Sequence, residues 1–143
     1  MKRIAAVSSL LLALACSSAA PPTASSPAAT DASYGLSSAT AIEVCKPAGE
    51  RKYVQRLRCA DGSAPEFSRS GSGGTRTAAK TEEEQKKALD QMFGTMKPGD
   101  PDYHVIDYYE VRCGDKKTTL ILDMYHCEQP EPTQAPAGFT IVP

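Results

Sequence analysis

Two periodicities run through the second half of the chain. From His104 to Cys113 and again from Thr118 to Cys127, apolar residues recur at every second position. Gly114-Asp115-Lys116-Lys117 lies between the two runs, a pattern that predicts two strands of a hairpin. With Asp115 and Lys116 as the loop, Gly114 faces Lys117, and one face carries Val105, Tyr109, Val111, Leu120, Leu122 and Met124. The opposite face mixes Ile106, Tyr108, Ile121 and Tyr125 with polar residues. A slip of one residue would scatter the apolar groups over both faces and set Asp107 opposite Asp123. Thr81 to Phe93 follows a helical period instead. Thr81-x-x-Glu84 is a capping-box pattern, and Glu82, Glu83 and Glu84 suit the positive end of the helix dipole. Ala88, Leu89, Met92 and Phe93 form one apolar stripe, and Gly94 stops the helix.

The first half is less regular. Thr40 to Cys45 alternates Ile42 and Val44 with Glu43 and predicts a short strand. Over Pro47 to Cys59, Tyr53, Val54 and Leu57 favour a helix, whereas the alternation Tyr53, Gln55, Leu57, Cys59 would fit a strand. Gly71-Ser72-Gly73-Gly74-Thr75-Arg76 has the look of a phosphate loop but lacks its spacing, so residues 68–80 read as a mobile loop. Arg51, Lys52, Arg56 and Arg58 read as a solvated helix face.

The two ends differ in kind. Lys2 and Arg3 precede an apolar run, Ile4 to Ala15, of about twelve residues. A bilayer span needs about 20, so this run has the length of a secretory leader rather than a membrane helix. Residues 16–39 are almost entirely Ser, Ala, Pro and Thr. They bury too little apolar surface to offset ordering entropy and read as a tether with a reach of roughly 25–30 Å. Residues 128–143 carry Pro130, Pro132, Pro136 and Pro143 and read as an extended tail in which Phe139 to Val142 could dock as an edge strand. The expected domain is therefore 40–127, at the small end for unaided stability.

The leader ends Leu12-Ala13-Leu14-Ala15-Cys16, which resembles the lipobox of bacterial lipoproteins. That resemblance implies cleavage after Ala15 and a diacylglycerol thioether on Cys16, with a further acyl chain (typically palmitate) on the new amine. It also implies anchoring without a transmembrane helix, since two or more chains hold a protein stably at a membrane. Ser17, in place of the Asp that marks inner-membrane retention, implies the outer membrane with the domain facing the periplasm.

Of the 5 cysteines, Cys16 is the odd one. In an exported chain Cys45, Cys59, Cys113 and Cys127 suggest two disulfides. Cys113 and Cys127 sit at opposite ends of the hairpin, roughly 30 Å apart, whereas a disulfide allows about 6 Å. Cys45 therefore pairs with Cys113 or with Cys127, and Cys59 takes the remaining partner. The cysteines lack the close pairs of a zinc site.

Composition removes some functions and adds none. The formal net charge of -1 gives no electrostatic case for nucleic acid. The chemically interesting residues are His104, Asp107, Asp123 and His126, with Asp107 and His126 diagonal on one hairpin face and His104 and Asp123 on the other. A His–Asp pair can poise a base, and these four could ligate a divalent metal, but a structural His–Asp hydrogen bond at a sheet edge is the plainer reading. No nucleophile motif accompanies them, and no cofactor or metal is expected.

The sequence thus predicts a small α+β domain, with an antiparallel sheet of three or four strands, one or two helices and two disulfides. Its expected role is non-catalytic: an envelope lipoprotein binding another envelope or secreted protein through Ile106, Tyr108, Ile121 and Tyr125. A periplasmic inhibitor or immunity-type protein of a hydrolase, and a small metal-dependent hydrolase using His104, Asp107, Asp123 and His126, are the alternatives.

Overall fold

The computed structural model describes residues 31–94 and 96–143. The leader, Cys16 and most of the expected tether lie outside the described residues. The chain is α+β, as the periodicities require. A four-stranded sheet has the order β1 (Ile42–Glu43), β5 (Lys116–Asp123), β4 (Val105–Cys113), β3 (Glu66–Thr75), and a second, two-stranded sheet pairs β2 (Leu57–Arg58) with β6 (Thr140–Ile141). Helices α1 (Lys46–Arg56) and α2 (Glu82–Phe93) complete it. Among the described residues no helix is long and apolar enough to cross a membrane.

The larger sheet is mixed rather than wholly antiparallel. β1 runs parallel to β5, with Ile42 opposite Leu122, which is possible because the whole domain forms the crossover between them. The hairpin keeps its expected faces but not its expected register. Cys113 pairs with Lys116 and Tyr109 with Leu120, so the loop is Gly114-Asp115. Gly114 sits at φ 57°, the positive value that the first position of such a tight turn favours, and this places the turn one residue early. Every cross-strand partner moves by two, an even slip that leaves the faces unchanged.

Residues 47–56 are helical. α1 buries Glu50, Tyr53 and Val54 at i, i+3 and i+4, and Tyr53 and Val54 meet Ile42, Val44, Leu57, Tyr109, Val111, Leu120 and Leu122 in the core. The Pro-rich tail folds over α1. Tyr53 Oη donates to the Gln134 carbonyl at 2.7 Å, Arg56 Nε donates to that of Val142 at 2.8 Å, and Pro136 is fully buried. β6 realises the expected edge strand. Residues 31–40 also fold onto the domain, so its boundary precedes Thr40. The Gly35 carbonyl accepts from Ile121 N at 2.8 Å. A Cβ on Gly35 would lie 2.6 Å from Ile42 Cδ1, at a φ of 73°.

Both disulfides form, Cys45–Cys127 and Cys59–Cys113, with Cα separations of 4.3 and 5.8 Å. They pin the start and end of α1 to opposite ends of the hairpin.

One expectation about the middle of the chain is corrected. Residues 66–75 are not a loop but the edge strand β3, paired with β4 through two register irregularities. Main-chain pairing holds it, since its Gly and Ser residues bury little. Helix α2 has the expected capping box, with Thr81 Oγ1 accepting from Glu84 N and Glu84 Oε2 from Thr81 N. Its apolar stripe, however, faces outward: Leu89, Met92 and Phe93 are 57%, 54% and 87% exposed. The buried residue is Gln91, whose amide binds the Pro101 carbonyl and Tyr103 N, both at 2.9 Å.

Candidate functional site

The strongest concentration of chemistry lies at the end of the larger sheet where β5 stops and β4 starts. Asp123 closes β5. The chain then turns, with Tyr125 N donating to Asp123 Oδ1, and Tyr125 bridges to Cys45. His126 follows, its amide held by the Val44 carbonyl at 3.1 Å and its position fixed by the neighbouring Cys45–Cys127 bond. Asp102 and His104 arrive on the approach to β4. That approach pairs with the exit from β3, through Arg76 N to the His104 carbonyl and Thr77 N to that of Asp102. The same pairing brings the Arg76 guanidinium to the cluster.

His126 Nε2 lies 2.9 Å from Asp102 Oδ2 and 3.0 Å from Asp123 Oδ2. These two bonds, that to Asp102 first, outweigh burial and raise the His126 pKa to about 10. Burial alone would raise Asp102, but the His126 bond, the His104 amide and the two imidazoles hold it at about 2. Asp102 Oδ1 accepts from His104 N at 2.9 Å. Arg76 reaches Glu43 at 2.8 Å and lies 3.5 Å from Asp123. His104 stacks on Tyr125 with ring centres 4.5 Å apart and meets the His126 ring edge-on. Its Nδ1 is buried and has no hydrogen-bond partner. A cleft of about 440 Å³ lined by Met96, His104, Tyr125, His126 and Glu128 opens beside these rings.

Three of the four expected residues, His104, Asp123 and His126, come together, and they do so on one side of the sheet end rather than on opposite hairpin faces. The fourth does not. Asp107 faces the core interior, where Arg69 grips it through Nε at 3.0 Å and Nη2 at 2.7 Å. The expected diagonal between Asp107 and His126 fails because β5 ends at Asp123 and His126 lies beyond the turn. Asp102 takes the place expected of Asp107. The signal that could have found it is Asp102-x-His104, since residues two apart in extended chain share a face.

Of the expected contact residues, Tyr108 and Ile121 are direct cross-strand partners, and Ile106 shares their strand face. Ile106 is buried, Tyr108 and Ile121 are half-buried, and Tyr125 is 40% exposed but committed to the His104 stack. Tyr108 lies against Gly73 and Gly74 of β3.

Chemically, a His126 that carries its proton to about pH 10 is a poor general base near neutrality, where a base needs a pKa close to the working pH. The arrangement suits holding a cation or a proton better than moving one. Fold and site together define a small disulfide-braced α+β domain with a buried His–Asp cluster at the mouth of a cleft. No family model, no curated protein and no solved structure matches this chain.

Proposed function

We propose that this chain is an exported, lipid-anchored and non-catalytic protein of the bacterial envelope that binds another envelope or secreted protein. The observation that carries the export reading is the pairing of the cysteines. Four of the 5 are joined to one another, and the one left over, Cys16, follows the apolar leader directly. Disulfides persist in oxidising compartments, and a domain of this size gains roughly 2–4 kcal/mol from each. A binding role draws support from α2, which presents Leu89, Met92 and Phe93 to solvent. Apolar side chains grouped in this way are what a protein partner covers. The hairpin face that the alternation suggested offers less, since Ile106 is buried there. An inhibitor of a periplasmic hydrolase is one form such binding would take.

The test uses the full-length chain expressed in a bacterial host. Membrane association and an N-terminal Cys16 bearing acyl mass are expected, both lost in Cys16→Ser. An uncut leader, or a mature N-terminus beyond Cys16 without acyl groups, overturns the anchoring. A photo-cross-linking residue at position 93 is expected to trap one protein adduct that Leu89→Asp abolishes. Cross-links to lipid alone, or an adduct indifferent to Leu89→Asp, overturn the assignment of α2.

A further inference from the structure

We propose that Asp102, His104, Asp123 and His126 form a binding site for a single divalent transition-metal ion, with zinc the favoured occupant. Each residue offers one ligand atom, and the four atoms lie within 4.8 Å of one another. A tetrahedral zinc with bonds of about 2.0–2.1 Å places its ligands about 3.4 Å apart. The contacts His126 Nε2–Asp102 Oδ2 at 2.9 Å and His126 Nε2–Asp123 Oδ2 at 3.0 Å therefore need to widen by about half an ångström, while the wider separations, up to 4.8 Å, need to close by about an ångström.

The second, independent observation is His104. Its side chain is 7% exposed, and its ring is clamped between Tyr125 and the edge of His126. Nδ1 lies 2.9 Å from Asp102 Oδ1, yet it is not aimed for a hydrogen bond, and that oxygen already accepts the His104 amide. A buried polar atom without a partner costs about 1–3 kcal/mol. Within the cluster, a metal ion satisfies it directly.

The donor set narrows the ion. All four cysteines of the domain are consumed in disulfides, so no thiolate is available to soft metals. Two imidazoles and two carboxylates suit zinc and its neighbours in the first transition row, rather than calcium or magnesium. Outer contacts orient the ligands, as at known metal sites. The His104 amide holds Asp102, and Arg76 leans on Asp123 while bonded to Glu43. The cleft of about 440 Å³ reaches His104 and His126 and supplies an entry path. Arg76 also places a positive charge beside the site. Binding is therefore expected in the micromolar range rather than at the tightness of a closed structural zinc site.

The experiment titrates detergent-solubilised, full-length protein, stripped with chelator, with zinc chloride in a calorimeter. One ion per chain is expected, and cobalt in its place should give the visible absorption of a four-coordinate site. His104→Ala should weaken zinc binding at least about tenfold, and because it also removes a buried ring stacked on Tyr125, circular dichroism of the metal-free variant checks that the fold persists. Asp102→Asn should weaken binding likewise. Should either variant fail to fold, the other decides alone. Absence of stoichiometric zinc uptake by the unmodified protein, or wild-type affinity in either folded variant, overturns the proposal.

Discussion

Two buried polar clusters sit within this one small domain and treat the same problem differently. At the sheet end, Asp102, His104, Asp123 and His126 border an open cleft. In the interior, beneath α1, Glu50 accepts from Tyr109 Oη at 3.1 Å and neighbours Asp107, which Arg69 grips from the edge strand. Both hold buried atoms without a hydrogen-bond partner: His104 Nδ1 and the adjoining Arg76 Nη1 in the first, Glu50 Oε1 in the second. The interior cluster answers with a proton. Burial first, then the Asp107 carboxyl, raise the Glu50 pKa to about 7. As a neutral acid, Glu50 offers a hydrogen towards Asp107 and loses its unpaired charge. No comparable internal answer exists for His104, whose neighbouring oxygen is already engaged. A closed polar cluster settles its account internally, whereas one at a cleft stays open to a ligand.

The most severe way to break the sheet-end cluster is Asp123→Ala. Asp123 is fully buried between His126 and Arg76, and removing one partner of such a set strands the other charges. A loss of about 3–5 kcal/mol is expected, measured by urea unfolding with disulfides intact. The interior cluster should reveal itself by pH. The Glu50 pKa lies higher in the folded state than its ordinary value of 4.5, so the folded protein holds more protons between 4.5 and about 7. Its contribution is fully present below pH 4.5 and is lost as pH rises through 7, by about 3 kcal/mol. Glu50→Gln should flatten this decline in urea titrations between pH 5 and pH 8. A second decline, from His126, runs from 6.5 towards about 10 and should survive in that variant.

A smaller effect separates the clusters. Gln91→Ala frees Tyr103 N and the Pro101 carbonyl next to Asp102. It should cost about 1 kcal/mol, weaken zinc binding, and leave the Glu50 pH slope unchanged. Phe93→Ser should alter stability least, by under about 0.5 kcal/mol in the same assay, because the side chain is 87% exposed.

Legibility in the sequence followed the kind of force at work. The hairpin strands, the Thr81 cap and the pairing of the four cysteines rest on local pattern or parity, and all were readable. Which of the two remaining cysteine pairings forms was not, because it depends on how α1 lies across the sheet. β3 was unreadable because its Gly and Ser residues take their conformation from hydrogen bonds to β4 rather than from burial. The α2 stripe was legible as a stripe, but its exposure was not, since nothing in a periodicity says what lies opposite. For the candidate site, His104, Asp123 and His126 were legible as residue types. Asp102 was marked only by its place two residues before His104, and Arg76 by nothing, since its partners Glu43, Asp102 and Asp123 lie far along the chain.

The two disulfides are nested, the span from Cys59 to Cys113 lying wholly inside that from Cys45 to Cys127. The outward excursion that carries α2 is thus enclosed by two covalent rings. A protease that severs the chain once there releases no fragment: the pieces stay linked, migrate together on a gel, and separate only when a reductant opens both bonds. The more accessible of the two described α-helices can be nicked without the domain being shed.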